Sequence, residues 1–178
     1  TDLPDPDDPC GRHFTFRQLI ECGETQARAR LANHPQQPAS YNALQDLAAR
    51  VLDPVIDYFG MIRLTYGFCS PELARKIPSR IDPKLDQHAA HEVNRRGEPI
   101  CGRLGAAVDF LIDDESMLEV AQWIVAHTPF DRLYFYGADL PIHVSFGPNH
   151  DRQIVWMAVT PSGRWVPQVI TREKFLAL

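Results

Sequence analysis

From Ser40 onward the apolar residues Leu44, Leu47, Val51, Val55 and Phe59 recur every three or four positions. That is the period of an amphipathic helix with one buried face. Pro54 falls inside the run and predicts a kink or an early stop, because its ring removes a helical N–H and crowds the preceding turn. A second helix is predicted over 115–127, where Leu118, Ala121, Trp123, Ile124 and Val125 supply the apolar side. Shorter helix starts are written as caps. Thr15 stands before Phe16, Leu19 and Ile20, and Ser70-Pro71-Glu72-Leu73 gives a cap, a proline in the first turn and an acid beside it. Short apolar or alternating runs predict strands at 61–66, 106–112, 132–136 and 142–146. Two more, at 154–160 and 165–170, flank the turn signal Pro161-Ser162-Gly163. Helices come first, then strands mixed with one long helix. The expected class is a small α+β domain, an antiparallel sheet with helices packed on it.

Length and charge narrow this further. A chain of 178 residues suits one domain with its own core. The first dozen residues, TDLPDPDDPCGR, are acidic and proline-rich, so 1–12 is expected as a flexible leader and 13–178 as the domain. A net charge of −5 and a pI near 5.8 argue against a generally basic nucleic-acid or membrane-surface binder. Arg75, Lys76, Arg80 and Lys84 are loosely grouped, and a solvated face explains them. No apolar run approaches the roughly 18 residues that span a bilayer. Cys10, Cys22, Cys69 and Cys101 form no CxxC pair, so they read as reduced thiols and a cytoplasmic location is expected.

Candidate chemistry gathers in two strands and one polar stretch. Asp109 interrupts an apolar strand (Ala107, Val108, Phe110, Leu111), where a carboxylate is costly without a partner or a metal. His143 alternates with Ile142 and Val144 and shares its face with Ser145. His88 and His91 lie three apart in QHAAHEVNRRGEPICGRLGAAVDF, residues 87 to 110. Each alone has a structural reading, as a hydrogen-bonded histidine or a paired aspartate. Together they match the imidazole and carboxylate donors that zinc prefers. Cys69 and Cys101 read first as small buried thiols.

The order of motifs resembles the zinc D,D-peptidase family of bacterial cell-wall enzymes and phage endolysins, the M15 peptidases, whose fold is shared with the hedgehog signalling domain. Phe14-Thr15-Phe16-Arg17-Gln18-Leu19 stands at the family's first motif, and Asn42 to Pro54 matches its long helix. Leu64 to Leu73 parallels its "TSGYRSPEL" segment. The family's metal motif is Ser-x-His-x-x-Gly-x-Ala-x-Asp, followed later by Val/Ile-His-x-Ser. Gly105 to Asp109 fits its second half and Ile142-His143-Val144-Ser145 its last part. Asp86-Gln87-His88 fits the first half if sixteen residues between His88 and Gly105 replace the usual two. Such an insertion costs little, because closure entropy grows with the logarithm of loop length.

The resemblance implies a hedgehog/D,D-peptidase-like fold, Zn2+ held by His88, Asp109 and His143, and hydrolysis of a peptide, amide or related bond in a small-molecule or peptide substrate. His91 stands as a supporting group or substitute ligand, with Cys69, Ser145 and Cys101 near the substrate. Two positions depart from the family. Its substrate-binding arginine is replaced by Cys69, and Tyr136 stands where its catalytic glutamate belongs. Glu92, in the inserted stretch, and Asp139 are the carboxylates that could take over. Two alternatives remain open: a non-catalytic binding or assembly module on the same fold, and an intracellular metal hydrolase or lyase acting on a nucleotide-type substrate.

Overall fold

The apolar stripe from Ser40 folds as one helical column that runs past its proline. In the computed structural model, which describes residues 2–77 and 82–178, helix α3 (Pro38–Leu47) passes through a π-helical turn (Ala48–Leu52) into α4 (Asp53–Phe59). The Asp53 N–H reaches back five residues to the Ala48 carbonyl. This widened turn immediately precedes Pro54, so the column neither stops nor loses its buried face at the proline. Leu44, Leu47, Val51, Leu52 and Val55 are buried as the periodicity requires. Gly60, at φ +96, ends the column.

Before the column come β1 (Pro9–Cys10), β2 (Phe14–Thr15), α1 (Phe16–Ile20) and α2 (Glu24–Ala29). The expectation of a free leader is corrected here. Strand β1 pairs antiparallel with β2, Cys10 is fully buried, and Asp7 bridges to Arg17 at 2.7 Å. The acidic prefix is held because Cys10 fills the core beside Phe14, while its carboxylates find a cation on α1.

The remaining elements are β3 (Arg63–Tyr66), α5 (Pro71–Ala74), β4 (Ala106–Leu111), α6 (Met117–His127), β5 (Arg132–Phe135), β6 (Ile142–Phe146), β7 (Gln153–Val159), β8 (Trp165–Ile170) and α7 (Arg172–Leu176). Ser70 caps α5 as its sequence indicates, with its Oγ accepting from the Leu73 N–H. Arg80, of the basic group noted above, lies outside the described residues.

The six long strands form one sheet in the order β3-β4-β6-β5-β7-β8. It is α+β and mostly antiparallel, as expected, but β5 and β7 run parallel, so the sheet is mixed. Alternation sorts its faces. Val108, Phe110, Leu133, Ile142 and Val144 point into the core under α3 and α6. The opposite face of β3, β4, β6 and β5 carries the polar site. Gly105 opens β4 at φ +85, and a Cβ there would lie 2.1 Å from the Phe146 carbonyl oxygen, so β4 and β6 approach this closely only with glycine. Among the described residues no helix is long and apolar enough to cross a membrane.

Candidate metal centre

Two cross-strand relationships and one short turn build the site. Asp109 and His143 are direct register partners across β4 and β6. Tyr134 pairs with His143 on the next strand, and Tyr66 pairs with Asp109 on the other side. Tyr66 reaches that position through a bulge at Thr65, which places two residues of β3 against one of β4. The third donor, His88, lies on a 3-10 turn (Gln87–Ala89) packed over β4. Asp86 fixes the turn by accepting the His88 N–H at 3.0 Å. Ala90 then takes φ +50 and ψ −124, a sparsely populated conformation for alanine, as the chain leaves the site.

The donor atoms converge. Asp109 Oδ1 lies 3.1 Å from His88 Nε2 and 2.9 Å from His143 Nδ1, and the two ring nitrogens are 3.2 Å apart. This is the one group of metal-ligating geometry among the described residues. The triangle has the edge length of one face of a tetrahedron, about 3.3 Å for bonds of ~2.0–2.1 Å to zinc. The tautomer of His88 fits too. Its Nδ1–H donates to the Gly67 carbonyl at 2.7 Å, which turns the Nε2 lone pair inward. Gly67 is required for that contact, since a Cβ there would lie 2.0 Å from the Leu19 carbonyl oxygen. Three electron-rich atoms face one point, so the donor set fits a cation such as Zn2+.

Electrostatics in the site are strong. Burial pushes the Asp109 carboxyl up, but the His88 charge and the hydrogen bonds from His143 and His88 outweigh it, holding Asp109 well below the usual carboxylate range. Burial pushes His88 down, yet the charge and hydrogen bond of Asp109, with Asp86 and the Gly67 carbonyl, raise it overall. The triad opens into a cavity of about 330 Å³ walled by Tyr66, Tyr134 and Tyr136, with α2 along one side. Tyr66 packs on His88 with ring centroids 4.2 Å apart, and Tyr134 sits edge-on to His143 at 5.1 Å. Tyr136 is pushed up to about 12 by burial and by the Asp109 charge. It therefore keeps its proton at neutral pH.

The other expected site residues are placed elsewhere, with one exception. Tyr136 lines the cavity. Glu92 does not: its carboxylate accepts the Gln36 and Gln37 N–H groups at 2.8 and 3.2 Å and the Ser40 hydroxyl at 2.7 Å. Helix α3 has no capping side chain at Gln37, and the buried Glu92 supplies that negative cap from the inserted stretch. His91 accepts the Gly105 N–H on Nε2 at 3.1 Å and belongs to a separate hollow beside Phe146 and His150. Ser145 shares the His143 face, but its hydroxyl serves the Arg132 backbone. Cys101 is fully buried beneath the insertion, where burial pushes its thiol up. Cys69 lies behind His88, its N–H donating to the His88 carbonyl at 2.9 Å. Tyr66 and Asp86 are site residues that sequence reasoning missed. The bulge before Tyr66 breaks the alternation that would have placed it, and Asp86 reads as an ordinary turn residue.

No family model, no curated protein and no solved structure matches the chain.

Proposed function

We propose that the protein is a zinc-dependent hydrolase of the D,D-peptidase type, acting on a small peptide, amide or related substrate within the tyrosine-walled cavity. The observation that carries this reading is the convergence of His88 Nε2, Asp109 Oδ1 and His143 Nδ1 on one point at the cavity wall. Their order in the chain, His then Asp on a strand then His on its partner strand, also follows the motif of those peptidases. When bound, Zn2+ supplies Lewis-acid activation of water and of a carbonyl group.

The chain's own groups complete the reaction. Besides Asp109, the carboxylates lining the cavity are Glu24 and Asp86. Glu24 is exposed and ion-paired with Arg28, whereas Asp86 is fixed beside His88, so Asp86 is assigned as acceptor of the attacking water's proton. Tyr136, protonated at neutral pH, donates a hydrogen bond to the oxygen on which charge develops. A cavity of about 330 Å³ suits a dipeptide-sized ligand. No disulfide is formed among the described residues, in keeping with a cytoplasmic setting.

A second reading, a metal-bearing binding module without turnover, is favoured by one observation: Glu92 is consumed in capping α3. Zinc-edge anomalous scattering on crystals, with hydrolysis assays on D,D- and L,L-dipeptides and their esters, separates the two. One zinc between the three donors and turnover lost in His143→Ala supports the hydrolase. Zinc without turnover supports the module, and no bound metal overturns both.

A further inference from the structure

Behind the His88 turn lies a second and larger cavity, of about 610 Å³, which has its own chemistry. Its floor is apolar, formed by Ala74, Ala89, Val93 and Ile100, and its rim carries Arg75, Arg95 and Arg96 against Glu72 and Asp86. The Asp86 carboxylate is engaged with the His88 N–H, which leaves the rim with a cationic surplus. Among the described residues none of the three arginines forms an ion pair, whereas Arg12, Arg17, Arg28, Arg63 and Arg132 each do. In a chain of net charge −5, a cavity rimmed by three guanidinium groups runs against the overall balance.

The inserted stretch is built to present two of them. Asn94-Arg95-Arg96-Gly97 is a tight turn, with the Gly97 N–H donating to the Asn94 carbonyl at 3.0 Å and Gly97 at φ +79. The Asn94 side chain accepts the Arg96 and Glu98 N–H groups at 2.9 and 3.1 Å. A bridge between Val93 and Pro99 closes the base, and the Ile100 N–H donates to the Glu92 carbonyl at 3.0 Å. Glu92 in turn is locked to α3. Arg95 and Arg96 are thus the corner residues of an anchored turn, and Arg75 faces them from the end of α5. Guanidinium groups held this way match the planar oxygens of phosphates and carboxylates.

We propose that this cavity is a binding site for a multiply charged oxyanion group, phosphate or polycarboxylate, on a small ligand whose apolar part rests on the floor. The site stands on its own arginines and does not depend on the metal reading.

Calorimetric titration at low salt tests it, using protein stripped of metal and freed of chelator, with pyrophosphate and citrate as probes. Saturable binding of either is expected, weakening with added KCl. It should weaken at least about tenfold in Arg95→Ala/Arg96→Ala and in Arg75→Ala, while Arg164→Ala, on the distant β7–β8 turn, leaves it unchanged. Tighter pyrophosphate binding assigns a phosphoryl group, and tighter citrate binding a carboxylate group. Three results would overturn the proposal: no saturable binding, equal weakening in Arg164→Ala, or binding seen only with zinc present and indifferent to the cavity arginines, which would place the anion at the metal.

Discussion

Asp109 and His143 face each other across β4 and β6 as register partners, with Oδ1 and Nδ1 2.9 Å apart. Because both side chains are set by strand pairing, the site needs only the His88 turn to complete it. Zinc at about 100 times its dissociation constant should stabilise the protein by about 2.7 kcal/mol. For a chain of this length that corresponds to a rise in Tm of roughly 5–10 °C. The rise should vanish, along with stoichiometric uptake, in His88→Ala, Asp109→Ala and His143→Ala. One equivalent of zinc retained by Asp109→Ala in metal analysis would refute the site.

Glu92 tests whether the polar insertion is catalytic or structural. Its buried carboxylate accepts three hydrogen bonds at the start of α3. Glu92→Ala strands two backbone N–H groups and the Ser40 hydroxyl, so a loss of about 2–4 kcal/mol in chemical denaturation is expected. Zinc affinity and turnover per folded molecule should remain at the parent level. A stable Glu92→Ala protein lacking turnover would restore the catalytic role that its sequence position suggested.

Much of this architecture was legible in the chain. The buried stripe from Leu44 to Phe59, the Ser70 cap, and the strands carrying Asp109 and His143 follow from local periodicity and cap chemistry. Local patterns do not encode how distant segments pair. The parallel β5–β7 contact, the docking of Cys10 in the core and the bulge that aligns Tyr66 are all set by tertiary packing. The insertion was the hardest part to read. His88, His91, Glu92 and Cys101 are equally polar or reactive on paper, yet only His88 is brought to the metal-binding geometry. His91 and Glu92 are spent on the Gly105 and Gln36–Gln37 backbone.

Asp86 and Tyr136 carry separable parts of the proposed reaction. Asp86→Asn keeps an oxygen for the His88 N–H but accepts no proton. A fall in kcat of about 10²–10⁴ with zinc retained is expected. Tyr136→Phe removes only a hydrogen-bond donor, and kcat should drop about 10²-fold. Since Tyr136 is held at about 12, the parent pH–rate profile should show no basic limb from this residue below pH 10. Full activity in Asp86→Asn would remove it from the mechanism.

His91 sets a pH dependence whose sign is fixed by burial. Desolvation lowers its pKa, partly offset by the Glu92 charge, and its Nε2 must stay unprotonated to accept the Gly105 N–H. The unfolded chain, with an ordinary histidine pKa near ~6.5, then binds more protons than the folded one as pH falls. The stability His91 contributes is therefore complete above about 6.5 and is lost as pH drops from there through its lower folded value. Glutamine at this position offers an oxygen for the same N–H without titrating. The Tm advantage of the parent over His91→Gln should accordingly shrink between pH 7.5 and 5. Taking the difference between the two proteins, both metal-free, cancels the opposite trend of His88, whose raised pKa makes its contribution fade as pH rises. A gap that stays constant or widens on acidification would show that His91 does not need to be neutral in the folded state.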